Sequence, residues 1–250
     1  MKAAIIYFSG TGNTEYVCKL FKKYFEENGV SCVLIDVSKK KQLNDDYDFY
    51  IFGAPIHSEL FPKNYVDWVK QNIKQGDKKC IIFSTQASDK AAGPFEIFNI
   101  LKEKGYKVLI QDFISMPNNY YVVAFKKPTE EDIKKAKQEA DKKVKLLVKK
   151  FLDDEINIVK VSKFRFKLAK IVYKMFYEYS KGWAKRNLSV DMKLCVKCLK
   201  CVKNCPTKNI KFSNDKFEFQ NKCISCQKCL HACPTNAYIY KGKRIDQYKI

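Results

Sequence analysis

Short apolar runs alternate with helical patterns over the first 155 residues. The apolar runs are AAIIYF, CVLID, FYIFG, CIIFST and VLIQDFI, which begin at residues 3, 32, 49, 80 and 108. Helical patterns cover residues 14–28, 63–73 and 94–104, and a fourth runs from Thr129 to about residue 152, with Asp132 in the capping-box position. Buried strands that alternate with helices predict a parallel sheet with helices on both faces. For five such strands, right-handed crossovers leave few topologies, and the doubly wound order 2-1-3-4-5 is one of them.

A basic segment follows at residues 156–187. Seven large apolar residues in it fall at helical spacing, and the remaining positions are mostly lysine: Phe164, Leu168, Ile171, Val172, Met175, Phe176 and Tyr179. This pattern predicts an amphipathic helix whose apolar face packs between two domains. Contact of residues 160–186 with a membrane surface is the less favoured alternative. The chain is therefore divided into a sheet domain at 1–155, a helical linker at 156–187 and a small domain at 188–250.

Eight of the eleven cysteines lie in two copies of the pattern C-x2-C-x2-C-x3-C-P, offset by 28 residues. They are Cys195, Cys198, Cys201 and Cys205, and then Cys223, Cys226, Cys229 and Cys233. A tetrahedral zinc usually takes two separated pairs of ligands, whereas three closely spaced thiolates suit one iron–sulfur cubane and leave the fourth for another. The spacing predicts two [4Fe–4S] clusters with Cys205 and Cys233 exchanged between them. Zinc or a degenerate site is the alternative.

The last sixty or so residues resemble two-cluster bacterial-type ferredoxins. The resemblance includes Thr207 and Thr235 after the two prolines, and the short hydrophobic segments 210–212 and 238–240 that follow the motifs. The three cysteines outside the motifs fall in helix or strand patterns, and we expect them to be buried and inert: Cys18, Cys32 and Cys80.

The loop between the first strand and the first helix is the candidate phosphate site. Its residues are Ser9, Gly10, Thr11, Gly12, Asn13 and Thr14. A Walker A loop requires a lysine that is absent here, and the dinucleotide fingerprint requires a glycine where Glu15 stands. The hydroxyl-rich loop resembles the FMN-phosphate loop of flavodoxins, and IIYFSGTGNTEYV is similar to the start of clostridial-type flavodoxins. The resemblance implies FMN and a flavodoxin-like fold.

The second loop, GAPIHSELFP, resembles the loop that contacts the flavin ring in this family. Its candidate residues are Pro55, Ile56 and His57. His57 either contacts the flavin edge, where it could donate a proton, or is a solvated loop histidine.

The third loop, STQASDKAAG at residues 84–93, supplies two further candidates, Thr85 and Gln86. It departs from the flavodoxin pattern, because it lacks the aromatic residue that stacks on the ring and has no glycine before Gly93. Tyr120 or Tyr121 is expected either to replace that aromatic residue or to pack against the ferredoxin domain.

The loop and the cysteine repeat, in this order, identify the chain as similar to the ferredoxin-fused flavodoxins of anaerobes. The resemblance implies an electron-transfer protein that passes single electrons between two [4Fe–4S] clusters and FMN. The alternative is a ferredoxin-dependent reductase of a small molecule such as a quinone or a nitro compound. At this point the protein is either an electron carrier or an oxidoreductase that uses FMN and iron–sulfur clusters.

The net charge of +21 is concentrated in the second half of the chain, since residues 156–190 carry +8 and residues 191–250 carry +9. Lysines crowd the cysteine motifs and predict docking of an acidic redox protein, of ferredoxin or flavodoxin type: Lys193, Lys197, Lys200, Lys203, Lys222 and Lys228. Codon bias is the alternative explanation. Nucleic acid is not expected as a partner, because no helix-turn-helix, RNP-like or OB-like signal is present. The absence of a secretory signal and the odd number of cysteines favour the cytoplasm.

Overall fold

A computed structural model of the chain describes residues 1–39, 42–43, 47–88 and 91–250, so Asp89 and Lys90 of the third predicted loop lie outside the described residues. Strands and helices alternate through residues 1–158, here called the sheet region. The elements are β1 (Lys2–Tyr7), α1 (Asn13–Glu26), β2 (Ser31–Asp36), β3 (Phe49–Pro55), α2 (Lys63–Asn72), β4 (Lys79–Gln86), α3 (Gly93–Glu103), β5 (Lys107–Ser115), α4 (Glu130–Leu152) and β6 (Asn157–Ile158).

The sheet is parallel throughout and has the strand order β2-β1-β3-β4-β5-β6. The predicted flavodoxin-like order 2-1-3-4-5 is confirmed. The two-residue β6 was not predicted; it pairs with Ile110 and Gln111 of β5 and extends the sheet past the predicted domain end at residue 155.

The alternation of side chains along β1 produces the two cores. Ile5 faces the core formed with α1 and α4, whereas its neighbour Ile6 faces the core formed with α2 and α3. Both residues are fully buried, as expected for a strand covered by helices on both sides. The capping box predicted for α4 is present, because the Thr129 hydroxyl accepts the Asp132 amide and the Asp132 carboxylate accepts the Thr129 amide.

One long helix and a group of short helices and strands follow. They are α5 (Lys163–Lys181), α6 (Trp183–Asn187), β7 (Leu188–Val190), α7 (Lys200–Lys203), β8 (Ile210–Ser213), β9 (Lys216–Phe219), α8 (Lys228–His231), β10 (Tyr238–Tyr240) and β11 (Lys243–Arg244). We call residues 183–250 the cysteine region. It contains a three-stranded sheet of order β11-β10-β7, a β8–β9 hairpin and a small core around the fully buried Trp183.

The two cysteine motifs have the same backbone conformation. Leu199 and Gln227, which are 28 residues apart, both have left-handed φ angles, of 55° and 57°. Lys208 and Asn236, also 28 residues apart, have φ angles of 52° and 49°. Non-glycine residues seldom adopt this region, so its repetition at matching positions shows that the sequence repeat is also a structural repeat.

The packing predicted for the linker helix is wrong. Six of its seven predicted packing residues are exposed, and Phe176 is the exception. The face that packs instead is centred on the fully buried Ala169, which lies against Leu60 and Ala92 of the sheet region. The small Ala169 side chain lets α5 approach closely, and neighbouring aromatic residues complete the contact. Within the described ranges, no helix is both long enough and apolar enough to cross a membrane.

Candidate functional site

A pocket of about 700 Å³ lies at the carboxyl ends of the strands of the sheet region. Its volume falls within the range of about 300–1,000 Å³ that is typical of cofactor and small-molecule sites. Ten of the eleven predicted flavin residues line it: Ser9, Gly10, Thr11, Asn13, Thr14, Pro55, Ile56, His57, Thr85 and Gln86. The three predicted loops therefore meet at one site, which is where ligands bind in open parallel sheets.

Gly12, the eleventh, does not line the pocket but shapes the first loop. It precedes the first residue of α1 and has a φ of 111°, which glycine adopts without strain. The loop curls around the Ser9 hydroxyl, which accepts the amides of Gly12 and Glu15 at 3.2 and 3.3 Å. This geometry gathers amides and hydroxyls at the N-terminus of a helix, an arrangement that favours an anion.

The third loop is tied to the first by a hydrogen bond between two buried hydroxyls. Thr14 Oγ1 and Thr85 Oγ1 are 2.7 Å apart. The Asn119 side chain donates to the Thr11 hydroxyl, so the loop after β5 supports the same end of the pocket.

The remainder of the pocket has the chemistry expected around an aromatic ring system. Ile56, Met116, Tyr120, Phe125 and Phe176 line it. A hydroxyl- and amide-rich end joined to an apolar and aromatic end suits the phosphate and the ring of FMN respectively. The residues present therefore fit this cofactor.

The cysteine region forms one wall of the pocket through Ser225, Cys226 and Gln227. A Cβ atom placed on Gly10 would lie only 2.7 Å from the carbonyl oxygen of Cys226, so the two backbones are in direct contact. A Cβ atom on Gly12 would lie 2.7 Å from Ile250 Cγ2. The candidate phosphate loop is therefore packed against the second cysteine motif.

Both tyrosines after β5 contact the cysteine region, and replacement of the stacking aromatic residue by Tyr120 stays a prediction. Tyr120 lines the pocket, and its hydroxyl lies 2.7 Å from that of Ser225. Burial is the main reason that the pKa of Tyr120 is raised to about 12. The Tyr121 hydroxyl also contacts the cysteine region, because it donates to the carbonyl of Asp246 at 2.6 Å.

His57 is half-buried at the wall of the pocket, between two aromatic rings. Its ring lies 6.3 Å from that of Phe8 and 6.4 Å from that of Phe176, edge-on in both cases. Burial lowers the pKa of His57 to about 4, and a hydrogen bond to the backbone of Ile224 opposes the shift. Contact with the flavin edge stays a prediction, as does the alternative of a solvated loop histidine, because His57 is half-buried and lines the pocket.

The eight motif cysteines are free thiols in two groups. Burial is the main cause of the raised pKa of Cys223, Cys226 and Cys229, and a nearby Cys205 contributes to the shift of each. The pKa of Cys201 is raised by burial and, to a smaller extent, by Cys233. The crossed ligand assignment expects these influences of Cys205 and Cys233 on the other motif's thiols, but Cys201 also influences Cys229, and the assignment stays a prediction.

We name the groups by their position. The inner set, which contains the pocket residue Cys226, is Cys205, Cys223, Cys226 and Cys229. The outer set, which contains the exposed Cys198, is Cys195, Cys198, Cys201 and Cys233. Within the described residues, no three His, Cys, Asp or Glu side chains are arranged around a single metal ion. In a cubane, by contrast, each thiolate binds its own iron.

Backbone amides donate to the sulfurs in both motifs. Asn209 N donates to Cys205 Sγ at 3.2 Å, and Ala237 N donates to Cys233 Sγ at 3.3 Å. Such N–H···S bonds stabilise anionic sulfur and are among the determinants of cluster potential. The donor chemistry therefore fits iron–sulfur clusters.

The three other cysteines are buried, as predicted. Burial raises the pKa of Cys32 to about 11 and raises those of Cys18 and Cys80 as well. Thiols with raised pKa values are protonated at neutral pH and are poor nucleophiles.

Of the predicted docking lysines, five are exposed: Lys193, Lys197, Lys200, Lys203 and Lys222. Lys228 does not belong with them, because its side chain is only 18% exposed and turns inward. Its ammonium lies 3.4 Å from the Ser9 carbonyl oxygen and 3.9 Å from Asp36. Lys228 therefore brings a cation to the candidate phosphate loop.

Several pocket residues carried no sequence signal for this role. Phe125 and Phe176 come from outside the three predicted loops, and Ser225 and Gln227 belong to a motif interpreted only as a ligand segment. Their role depends on how the two regions dock. The φ of Phe125, 78°, is unusual for an aromatic residue and is visible only in the folded backbone.

Two family models match separate parts of the chain. The family model for the Flavodoxin domain matches residues 4–105, and the model for the 4Fe-4S dicluster domain matches residues 194–239. A flavodoxin of Buchnera aphidicola subsp. Acyrthosiphon pisum (strain APS) is 47% identical over 55 residues. That match spans 22% of this chain and 31% of the flavodoxin.

Solved structures of flavodoxins are also similar to part of the chain. Oxidised flavodoxin 1 from Bacillus cereus is 22% identical, with a TM-score of 0.41, over 58% of this chain and 98% of that one. A flavodoxin from the domain Archaea is 18% identical, with a TM-score of 0.40, over 60% of this chain and 99% of that one.

Proposed function

We propose a function from the premise that this chain belongs with the ferredoxin-fused flavodoxins, since a flavodoxin domain is followed by a 4Fe-4S dicluster domain. Its cofactors are FMN and two [4Fe–4S] clusters, and it is an electron-transfer protein. When bound, the clusters supply single-electron chemistry, and FMN couples one-electron to two-electron chemistry. The finer proposal is that single electrons pass between a redox partner at the outer set and the pocket, by way of the inner set.

The observation that carries the proposal is the position of Cys226. It is a proposed ligand of the inner set, it lines the pocket, and its carbonyl packs against Gly10 of the candidate phosphate loop. The chain's residues thus hold the inner cysteines beside the pocket, while the exposed Cys198 keeps the outer set accessible. Ser9, Thr11 and Thr14 are proposed to bind the phosphate, with Lys228 nearby as a cation.

The proposed partner is an acidic redox protein that docks on the lysines around the outer set. Lys193, Lys197, Lys200 and Lys203 are exposed beside it. A field of this sign accelerates encounter with an anionic surface. A cytoplasmic location belongs to the same proposal, because the cytoplasm keeps thiols reduced. An anaerobic host is what the resemblance to the ferredoxin-fused flavodoxins implies.

The test compares Cys226→Ser with Cys32→Ala, which removes a thiol outside the motifs. Each protein is prepared anaerobically, and its FMN, iron and sulfide are quantified. The oxidised protein is then mixed with a reduced ferredoxin in a stopped-flow instrument, and flavin absorbance is followed. We expect Cys226→Ser to retain FMN but to lose most of the rate of flavin reduction. An unchanged rate in this variant would contradict the proposed route.

A second candidate function, reduction of a small quinone or nitro compound, is favoured by the opening of the pocket. Phe125 lines the pocket and is 72% exposed, so the site is accessible from solvent at that edge. Anaerobic reoxidation of the reduced flavin by such a compound, with saturation kinetics, would support a reductase. A rate that rises linearly with the compound's concentration would indicate simple electron carriage.

A further inference from the structure

The outward face of α5 carries a row of large apolar side chains. Phe164, Ile171 and Met175 are 78%, 61% and 71% exposed within the described chain. We call the full set the apolar stripe: Phe164, Leu168, Ile171, Val172, Met175 and Tyr179. At the rise of an α-helix it is about 22 Å long. A contiguous exposed apolar surface of this kind marks an interaction site more often than an ordinary surface.

The opposite face of α5 is fixed to the sheet region. Ala169 is fully buried, the Tyr173 hydroxyl accepts the backbone N–H of Lys63 at 2.7 Å, and Arg165 pairs with Glu59 at 2.5 Å. Turning the apolar stripe inward would break all three contacts. The stripe therefore faces outward because the other side of the helix is already occupied.

A row of lysines lies along one edge of the stripe. Lys163, Lys167, Lys170 and Lys174 recur every three or four residues, and all four are exposed. The only acidic residue of α5, Glu178, pairs with Lys181 at 2.7 Å. Lysine stems can lie along an apolar surface while their ammonium groups reach outward to anions. An apolar face edged by lysines is the pattern of a helix that lies in the plane of an anionic membrane.

The charges also argue against the two other occupants of such a face. A second copy of the chain carries the same net charge of +21, and antiparallel pairing of the two helices would also bring both rows of lysines to one side, so like charges oppose association. An acidic protein would need an apolar groove about 22 Å long with acids along one edge. An anionic bilayer supplies apolar volume and negative charge without any matching shape.

We propose that α5 attaches the protein to the surface of an anionic lipid membrane. The apolar stripe enters the boundary between headgroups and acyl chains, and the lysine row contacts lipid phosphates. Because Phe176 on the inward side of α5 lines the pocket, attachment brings the pocket within one helix thickness of the lipid. This inference does not depend on the proposed function.

The test is co-sedimentation of the full chain, carrying its cofactors, with two kinds of vesicle. One is phosphatidylcholine alone, and the other is an equal mixture of phosphatidylglycerol and phosphatidylcholine. We expect binding to the anionic vesicles that is at least about tenfold stronger than to the neutral ones. Replacing a lysine of the row by glutamine should weaken it about fivefold per residue.

The variants separate insertion from simple charge attraction. The triple variant Leu168→Gln, Ile171→Gln and Met175→Gln should weaken binding by about tenfold or more. Leu146→Gln on α4, which is also exposed, and Lys134→Gln with Lys142→Gln are the matched controls and should change binding little. Unchanged flavin and iron contents show that each variant is folded.

Four outcomes would overturn the proposal. The first is no binding to anionic vesicles, and the second is binding that the triple variant leaves unchanged. The third is a dimer in sedimentation velocity that the triple variant dissociates, which would assign the stripe to a second copy. The fourth is that the protein does not bind vesicles and instead binds an acidic ferredoxin through the stripe.

Discussion

The two cysteine motifs share their cysteine spacing and their backbone conformation, yet they face different surroundings. Cys226 of the inner set lines the pocket, whereas Cys198 of the outer set is exposed. Burial raises the pKa of Cys226 to about 12, with contributions from neighbouring thiols. The difference arises from docking, because Gly10 allows the backbone of the second motif to touch the phosphate loop. An internal repeat can thus supply two equivalent metal sites, and the partner surface decides which of them faces the second cofactor.

The largest expected effect tests whether the two sets are separate. Cys205 belongs to the first motif but lies near the inner set. Cys205→Ala should reduce the iron content from about eight atoms per chain to about four or to an incomplete cluster. Iron and sulfide analysis with EPR of the reduced protein measures this.

The control for that variant is Cys32→Ala, which should keep the full iron content. The spectrum of the outer set should survive in Cys205→Ala. If the outer set's signal is lost while the inner one remains, the crossed assignment fails, and with it the contrast between the two sets.

The next effect concerns the phosphate loop, which packs against the cysteine region at Gly10 and Gly12. Thr14→Ala should weaken FMN binding by about 1–3 kcal/mol, since a hydroxyl that donates to a dianion is among the stronger hydrogen bonds. Gly12→Val should weaken it more, because the φ of 111° strains a β-branched residue and the added atoms would meet Ile250. Fluorescence titration of FMN into the flavin-free protein gives both affinities.

Ser31→Ala, at the exposed start of β2, is the control and should bind FMN with unchanged affinity. Equal affinities in all three variants would show that the flavin does not bind at this loop.

How much of this site the sequence could predict depends on how far apart along the chain the interacting residues lie. The phosphate loop was predictable because a buried strand, a hydroxyl-rich turn and a helix are adjacent in the chain. The apposition of Cys226 and Gly10 was not, because equivalent motifs give no indication of which one docks. The packing face of α5 was misjudged since the helix has two apolar sides. Ala169, Tyr173 and Phe176 also recur at helical spacing, and only the surface opposite them decides which side is buried.

The third effect tests whether the outer set faces a partner. Lys197→Glu, Lys200→Glu and Lys203→Glu together should slow electron exchange with an acidic ferredoxin by about tenfold at low salt. The wild-type rate should fall similarly as ionic strength rises, because the Debye length shrinks from roughly 30 Å at 0.01 M to roughly 8 Å at 0.15 M. Stopped-flow kinetics at several salt concentrations measure both.

Charge reversal at Lys134, Lys135 and Lys142, which are exposed on α4, is the matched control. A neutral dye should reduce all the variants at the same rate. If both triple variants slow the exchange equally, the positive charge acts as a diffuse field, and the lysines around the outer set are not a docking surface.

The smallest effect lies where the two regions meet, at His57. Its pKa is lowered to about 4 chiefly by burial, while an unfolded histidine titrates near 6.5. Between these values the unfolded chain binds a proton that folded His57 does not, so the stabilisation present above pH 6.5 declines as the pH falls and levels off below pH 4. The free energy of unfolding should fall between pH 7.5 and pH 5 by roughly 1–2 kcal/mol less in His57→Gln than in the wild type. Anaerobic urea unfolding of the FMN-loaded protein, followed by circular dichroism at both pH values, measures the difference, with exposed Gln138→Ala as the control. The same pH dependence in the wild type and His57→Gln would mean that His57 is protonated as readily in the folded protein as in water, and that the boundary between the two regions is open to solvent.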